Sequence, residues 1–310
     1  AARDGGNVPV SVYDSLIEAV HESLPSMRKY LELRRRALKL DKIDVFDLYV
    51  PIVEDVDYPI AFEDAKELVK KATLPLGEEY QKLLDRAFAE RWVDVYENDG
   101  KQSGAFSCGV FGVHPYVLMN YAGTLGDAFT LAHELGHAFN NRMLRHKPLM
   151  MNGTPMPLAE TASTFNECVV MNHAIAQAAD DAEKLNLIES QLQDVTQIIV
   201  DIYSRYRFED AVLRRRKEEF MGAAELCRIM LQAQADSYGD GLDSALRHPY
   251  MWLCKSHYYG STFYNFPYAF GGLFARGLYA KYAQEGASFV PIYKKLLHTT
   301  TVATAEDAAK

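Results

Sequence analysis

Two histidines four residues apart, His133 and His137, enclose a glutamate, Glu134, in the stretch His133-Glu134-Leu135-Gly136-His137. The run before it, Ala128-Phe129-Thr130-Leu131-Ala132, is apolar and helix-forming. On an α-helix, positions i and i+4 stack on one face, so both imidazoles can point at a single metal ion. Glu134 sits one residue round and can reach a water on that ion. A hydrolytic zinc site takes three protein ligands and leaves a fourth position open, so the motif predicts a third ligand elsewhere. Glu134 and His137 also form a Glu-x-x-His pair of the di-iron type, a site that needs a second such pair brought to it by another helix.

The elements that must hold these residues follow from local patterns. Thr124-Leu125-Gly126-Asp127 is a capping box that starts the metal helix near Thr124, and Pro148 with the loop to Pro157 ends it. A further helix is expected from Leu158 to Ala178, carrying Glu160, Glu167 and His173. Glu160 lies far enough past His137 for the chain to turn and return antiparallel. Glu167 follows it by two helical turns on nearly the same face. Spacing alone leaves Glu160 open between metal ligand and first-turn carboxylate serving the helix dipole. Glu167 then fits as the acceptor that orients a metal-bound imidazole. Asp127, in the first turn of the metal helix, is expected beside Glu167 among the groups supporting the ligands. His173 reads as a packing or surface residue.

Elsewhere the pattern is mostly helical. Helices are expected over residues 10–40, 62–71, 77–97, 182–220, 222–236, 273–284 and 289–298, with another beginning at Thr304. Trp92 falls on the apolar side of the 77–97 segment. Two short aromatic, Gly-punctuated stretches, 104–111 and 116–121, read as a β-hairpin just before the metal helix. An exposed strand there could hold an extended peptide by adding it to the sheet edge. The fold class is mostly α with a small β element.

Composition bounds the partners. The net charge of −9 argues against a general nucleic-acid binder, and the basic runs Arg34–Arg36 and Arg214–Lys217 sit in charge-mixed helical segments. No stretch approaches the apolar length of a membrane span. Four cysteines at Cys108, Cys168, Cys227 and Cys254 match no zinc-binding spacing and read as free thiols of a reducing compartment. No signal peptide opens the chain, so a cytoplasmic location is expected.

The stretch Gly123–Ala138 and the stretch Leu158–Glu167 together resemble the oligoendopeptidase F branch of the thimet oligopeptidase family. Gly104–Ser107, Pro115–Tyr121 and Phe263–Gly271 agree with it, and the resemblance runs from Asn7-Val8-Pro9 to the last helix. It implies a zincin-type, mostly helical metallopeptidase that cleaves short peptides in a deep channel, with one Zn2+ per chain. It makes Glu160 the third ligand beside His133 and His137, and Glu134 the general base. It implies that Gly104, Ala105, Phe106 and Ser107 lie along the substrate backbone. It also implies that a histidine and tyrosines of an aromatic, Gly-containing loop face the substrate carbonyl; His257, Tyr264 and Tyr268 occupy that region. The segment between His257 and Phe263-Tyr264 is shorter than in that branch. Family members carry an N-terminal helical half that this chain lacks. Residues 1–310 are therefore expected to be a catalytic portion truncated at both ends, with the missing half a candidate partner. The competing reading is a non-catalytic helical peptide-binding fragment that retains zinc; an intact Glu134 argues against it.

Overall fold

The computed structural model describes residues 9–53, 59–151, 153–255, 257–260, 262–263, 265–304 and 307. The chain forms two compact units, one from residues 1–54 and 185–270, the other from 55–184 and 271–310. The elements in order are α1 (Val10–Ala37), α2 (Phe62–Thr73), α3 (Glu78–Ala89), β1 (Val93–Asp94), β2 (Phe106–Cys108) and β3 (Tyr116–Leu118). Then come α4 (Leu125–Leu144), α5 (Met156–Gln177), α6 (Asp181–Thr196), α7 (Ile202–Arg215), α8 (Ala223–Tyr238), α9 (Phe266–Glu285) and α10 (Val290–Thr299). Short helical turns fill several of the connections.

In the first unit, α1 packs with α6, α7 and α8. Buried Arg34 on α1 pairs with buried Glu189 on α6. Arg34 also donates to the carbonyls of Asp47 (2.8 Å) and Val50 (2.7 Å), and Glu189 accepts the Ile52 N–H at 2.9 Å. One ion pair thus holds an irregular segment whose backbone groups would otherwise lack partners. Residues 182–220 do not form one uninterrupted α-helix. A π-helical turn, Gln197–Asp201, separates α6 from α7. α7 stops at Arg215, where six consecutive charged residues, 214–219, leave no apolar stripe to bury.

The aromatic segment of this unit is more helical than expected. α9 begins at Phe266 rather than near 273, so Tyr268 lies on a helix and not in a loop. Just before it, Phe263 takes a left-handed backbone (φ 55°), and its N–H donates to Glu209 at 2.7 Å. Tyr258 donates from its hydroxyl to the Arg205 carbonyl at 3.2 Å.

The second unit carries the metal-helix motif. The expected 77–97 helix ends at Ala89, because Arg91 turns left-handed (φ 58°) and the chain enters β1. Trp92 is therefore a strand-leading residue whose carbonyl accepts the Val117 N–H at 2.9 Å. The sheet has the order β1-β3-β2. β1 runs parallel to β3, with Val93 opposite Val117, a pairing missed by the two-strand expectation. β2 and β3 are antiparallel, with Ser107 opposite Val117, as the hairpin reading requires. β2 is an edge strand and packs on α4. Asn120 fixes its approach by donating to the carbonyls of Gln102 (2.9 Å) and Gly104 (2.8 Å).

α4 begins as expected. Thr124 Oγ1 accepts the Asp127 N–H, and the Asp127 carboxylate accepts the Thr124 N–H at 2.9 Å. Its apolar residues Ala128, Leu131, Ala132, Leu135 and Phe139 are almost completely buried. α4 and α5 form the most extensive helix pair of the unit. His137 meets Glu160 and His133 meets Glu167, so a step back along α4 is a step forward along α5, and Asn140 meets Thr154 just before α5 begins. The pair is antiparallel and tight. A Cβ on Gly136 would stand 2.6 Å from the Ala162 carbonyl oxygen and 2.7 Å from the Ser163 Cα. Both obstacles are backbone and cannot rotate away.

Gly136→Ala should therefore force the helices apart, lowering stability by about 1–3 kcal/mol in denaturant unfolding and weakening metal retention. Gly126→Ala, on the same helix but exposed and meeting only the Thr124 hydroxyl at 3.6 Å, should be neutral or stabilising by up to about 1 kcal/mol. Equal behaviour of the two variants would contradict the close-approach account.

Candidate metal centre

The antiparallel α4–α5 pair delivers three side chains to one point. Glu160 Oε2 lies 3.2 Å from His133 Nε2 and 3.3 Å from His137 Nε2. Two ligand atoms held about 2.0 Å from a tetrahedral ion stand about 3.3 Å apart, so the spacing fits a tetrahedral metal. Among the described residues this is the one group of three or more His, Cys, Asp or Glu side chains suited to an ion. The chain's other Glu-x-x-His, Glu18 and His21 on α1, is not part of this group. The side chains are partly buried, at 20–26% exposure, which leaves an open approach for a fourth ligand.

The groups behind the ligands set their direction. His133 Nδ1 faces Glu167 Oε2 at 3.2 Å, so Nδ1–H donates there and Nε2 turns to the Glu160 side. Ser163 donates to Glu160 Oε2 at 3.0 Å, and Asn166 donates to the Ala132 carbonyl. A Cβ on Gly271 of α9 would stand 2.7 Å from the Glu160 Cβ, so a glycine is needed where that helix crosses the ligand. Asp127 plays a different part from the one expected. Its carboxylate accepts the N–H groups of Ala122 and Thr124 and completes the helix cap, two turns ahead of His133.

Glu134 is buried, with Oε2 lacking a hydrogen-bond partner. An orphaned carboxylate oxygen beside three convergent ligands is what a site awaiting water or substrate would show. Burial raises the Glu134 pKa; the neighbouring histidines and the Ser107 backbone N–H oppose that rise. Ser107 therefore ties the edge strand to the Glu134 carboxylate. Burial would lower the His133 pKa, but its hydrogen bonds to Glu160 and Glu167 outweigh this and raise it to about 10. Burial pushes the Glu160 carboxyl up, and the same two histidines hold it well below the ordinary carboxylate range.

The structure thus assembles His133, Glu134, His137, Glu160 and Glu167, with Ser107 of β2 beside Glu134. Gly104 leads into that strand at φ 85°, a left-handed conformation that favours glycine. Tyr268 is half-buried in the first turn of α9, in the other unit. The His257 side chain and Tyr264 lie outside the described residues. The roles of Gly136, Asn120, Ser163 and Asn166 escaped sequence reading, although Ser163 is three residues past Glu160 and so shares its helix face.

The four cysteines form no disulfide, as their spacing suggested. No helix among the described residues is long and apolar enough to cross a membrane.

A helical fold with a two-histidine, one-glutamate centre of this kind defines a metallopeptidase-type architecture. The sequence profile of peptidase family M3 matches residues 3–299, and the chain belongs to that family. It is 32% identical over 295 residues to oligopeptidase PepF of Bacillus subtilis, covering 94% of this chain and 44% of that one. It is 33% identical over 298 residues to an oligoendopeptidase F homologue of Borreliella burgdorferi, covering 94% and 50%. Among solved structures, oligoendopeptidase F from Enterococcus faecium superposes with a TM-score of 0.67 at 22% identity, covering 98% of this chain and 51% of that one. The chain spans about half the length of the curated relatives it matches.

In the metal-free protein, His133 carries both ring protons below about pH 10, and a metal at Nε2 must displace one. Metal uptake between pH 7 and 9 should therefore release about one proton, and affinity should rise with pH across that window. Calorimetry in two buffers of different ionisation enthalpy measures this directly. A binding enthalpy independent of buffer would contradict the arrangement.

Proposed function

We propose that this chain is the catalytic portion of a zinc endopeptidase acting on short peptides. The observation that carries the reading is the orphaned, buried Glu134 carboxylate beside the His133–His137–Glu160 cluster. A purely structural metal site has no use for such a group. Two imidazoles and one carboxylate at tetrahedral spacing suit zinc. Zinc there would supply Lewis-acid polarisation of the scissile carbonyl and make water more acidic.

The chain's own residues do the rest. Glu134 removes a proton from the attacking water as its oxygen bonds to the carbonyl carbon. As the C–N bond breaks, Glu134 returns that proton to the leaving amine. A raised pKa suits both halves of this task, because the protonated form must be reachable near neutral pH. Glu167 orients the His133 ring, and Ser163 holds the Glu160 carboxylate. The edge of β2 with its lead-in, from Gly104 and Ala105 to Phe106 and Ser107, takes the peptide as an added strand. The roles of His257, Tyr264 and Tyr268 at the reacting carbonyl rest on the resemblance alone. A separate N-terminal half as partner and a cytoplasmic site of action belong to the same proposal.

The deciding experiment compares the zinc-loaded chain with its Glu134→Gln variant on an internally quenched peptide. The variant should retain about one zinc by elemental mass spectrometry and lose turnover by at least roughly 10²–10⁴-fold. Turnover that survives the substitution would remove Glu134 from the mechanism. Zinc-loaded wild-type chain that cleaves nothing would favour the peptide-binding reading.

A further inference from the structure

The helix stripe that carries the metal ligands does not end with them. His133, His137 and Asn141 on α4 and its C-cap Arg145 follow one another at four-residue intervals. Asn141, Arg142, Arg145 and His146 line a cavity of about 540 Å³ in the same unit. The loop between β2 and β3, residues 109–115, forms its other wall. Trp92 and His114 stack against each other there, 4.6 Å between ring centres with planes 4° apart. The approach of wall and helix is close: a Cβ on Gly109 would stand 2.4 Å from Asn141 Oδ1.

The charge of this cavity is one-sided. No aspartate or glutamate lines it. Arg86 at its edge is already held by Glu90 at 2.8 Å and lies over the Trp92 ring. Arg142 and Arg145 form no ion pair with a carboxylate among the described residues; Arg145 Nε donates only to His146 Nε2, at 3.0 Å. Two arginines outside any ion pair, of which Arg142 also borders a smaller neighbouring cavity lined by Glu78 and Glu79, therefore line a walled, aromatic-floored cavity. That is the chemistry of a carboxylate receptor.

Its position links it to the peptide path. β2 passes Glu134 at Ser107, and Gly109 just past its end meets Asn141, so the strand runs in the same sense as α4. Arg145 lies eight residues past His137, about 12 Å along the helix axis at 1.5 Å per residue. An extended peptide covers that distance in about three or four residues. We infer that the cavity between the β2–β3 loop and the end of α4 is a subsite for a peptide carboxylate, held by Arg142 and Arg145, a few residues from the bond cleaved. The inference rests on the peptidase reading for its substrate, but none of its residues is a metal ligand or the proton carrier.

Binding to the Glu134→Gln chain, measured by calorimetry, separates the two. The probes are alanine- and phenylalanine-based octapeptides carrying one Glu or one Gln at each position in turn, each made as free acid and as C-terminal amide. In at least one register the Glu peptide should bind about tenfold tighter than its Gln counterpart. If the terminal carboxylate is the group bound, amidation should cost that factor instead. Either preference should vanish in Arg142→Gln/Arg145→Gln and largely persist in Arg142→Lys/Arg145→Lys, which keeps the charge. Equal affinities throughout, a preference that survives the glutamine pair, or no binding of any peptide would overturn the subsite. Failure of the peptidase reading would show separately, as no turnover by the unmutated chain while acid-selective binding persists.

Discussion

The close antiparallel contact between α4 and α5 is the constraint on which the site depends. Glu160 and His137 are distant in the chain, and their ligand atoms must meet within a fraction of an ångström. Only backbone packed against backbone can hold that tolerance, because side chains alone would leave several rotamers open. Gly136 makes the approach possible by offering no Cβ to the Ala162 carbonyl. The middle of a metal-binding helix is an expensive place for glycine, and here the cost is offset by the geometry it permits.

The electrostatics of the centre follow from the same contact. Bringing two carboxylates against His133 raises the imidazole, while burial raises Glu134. Two neighbouring glutamates are thus driven in opposite directions by their surroundings: Glu160 is kept ionised and Glu134 is moved towards protonation. The edge strand joins this arrangement through the Ser107 N–H, so Glu134 and β2 share one hydrogen-bonded frame.

The first unit shows a comparable economy of buried polar groups. The Arg34–Glu189 pair satisfies three backbone groups of the segment that follows α1. Glu209 accepts the N–H of Phe263 and so fixes a left-handed residue ahead of α9. A phenylalanine in that backbone region is costly, and the buried carboxylate is the partner that holds it there.

Much of this was legible in the sequence because it is local. The His133–His137 spacing, the Thr124–Asp127 cap and the β2–β3 hairpin depend on residues close together in the chain. Glu160 was legible as a candidate from spacing and as a ligand from resemblance. The sequence could not reveal that Arg91 turns left-handed and starts a third strand, that α9 begins before its glycines, or that Asp127 serves the cap alone. Those outcomes are set by contacts between segments far apart: β1 pairing with β3, α9 crossing Glu160 at Gly271, and α4 lying on α5. The sequence by itself determined which residues could bind a metal and move a proton. Tertiary structure decided that they meet, because a 3.2 Å separation between chemically matched atoms is a property of how helices pack and not of how far apart residues stand in the chain.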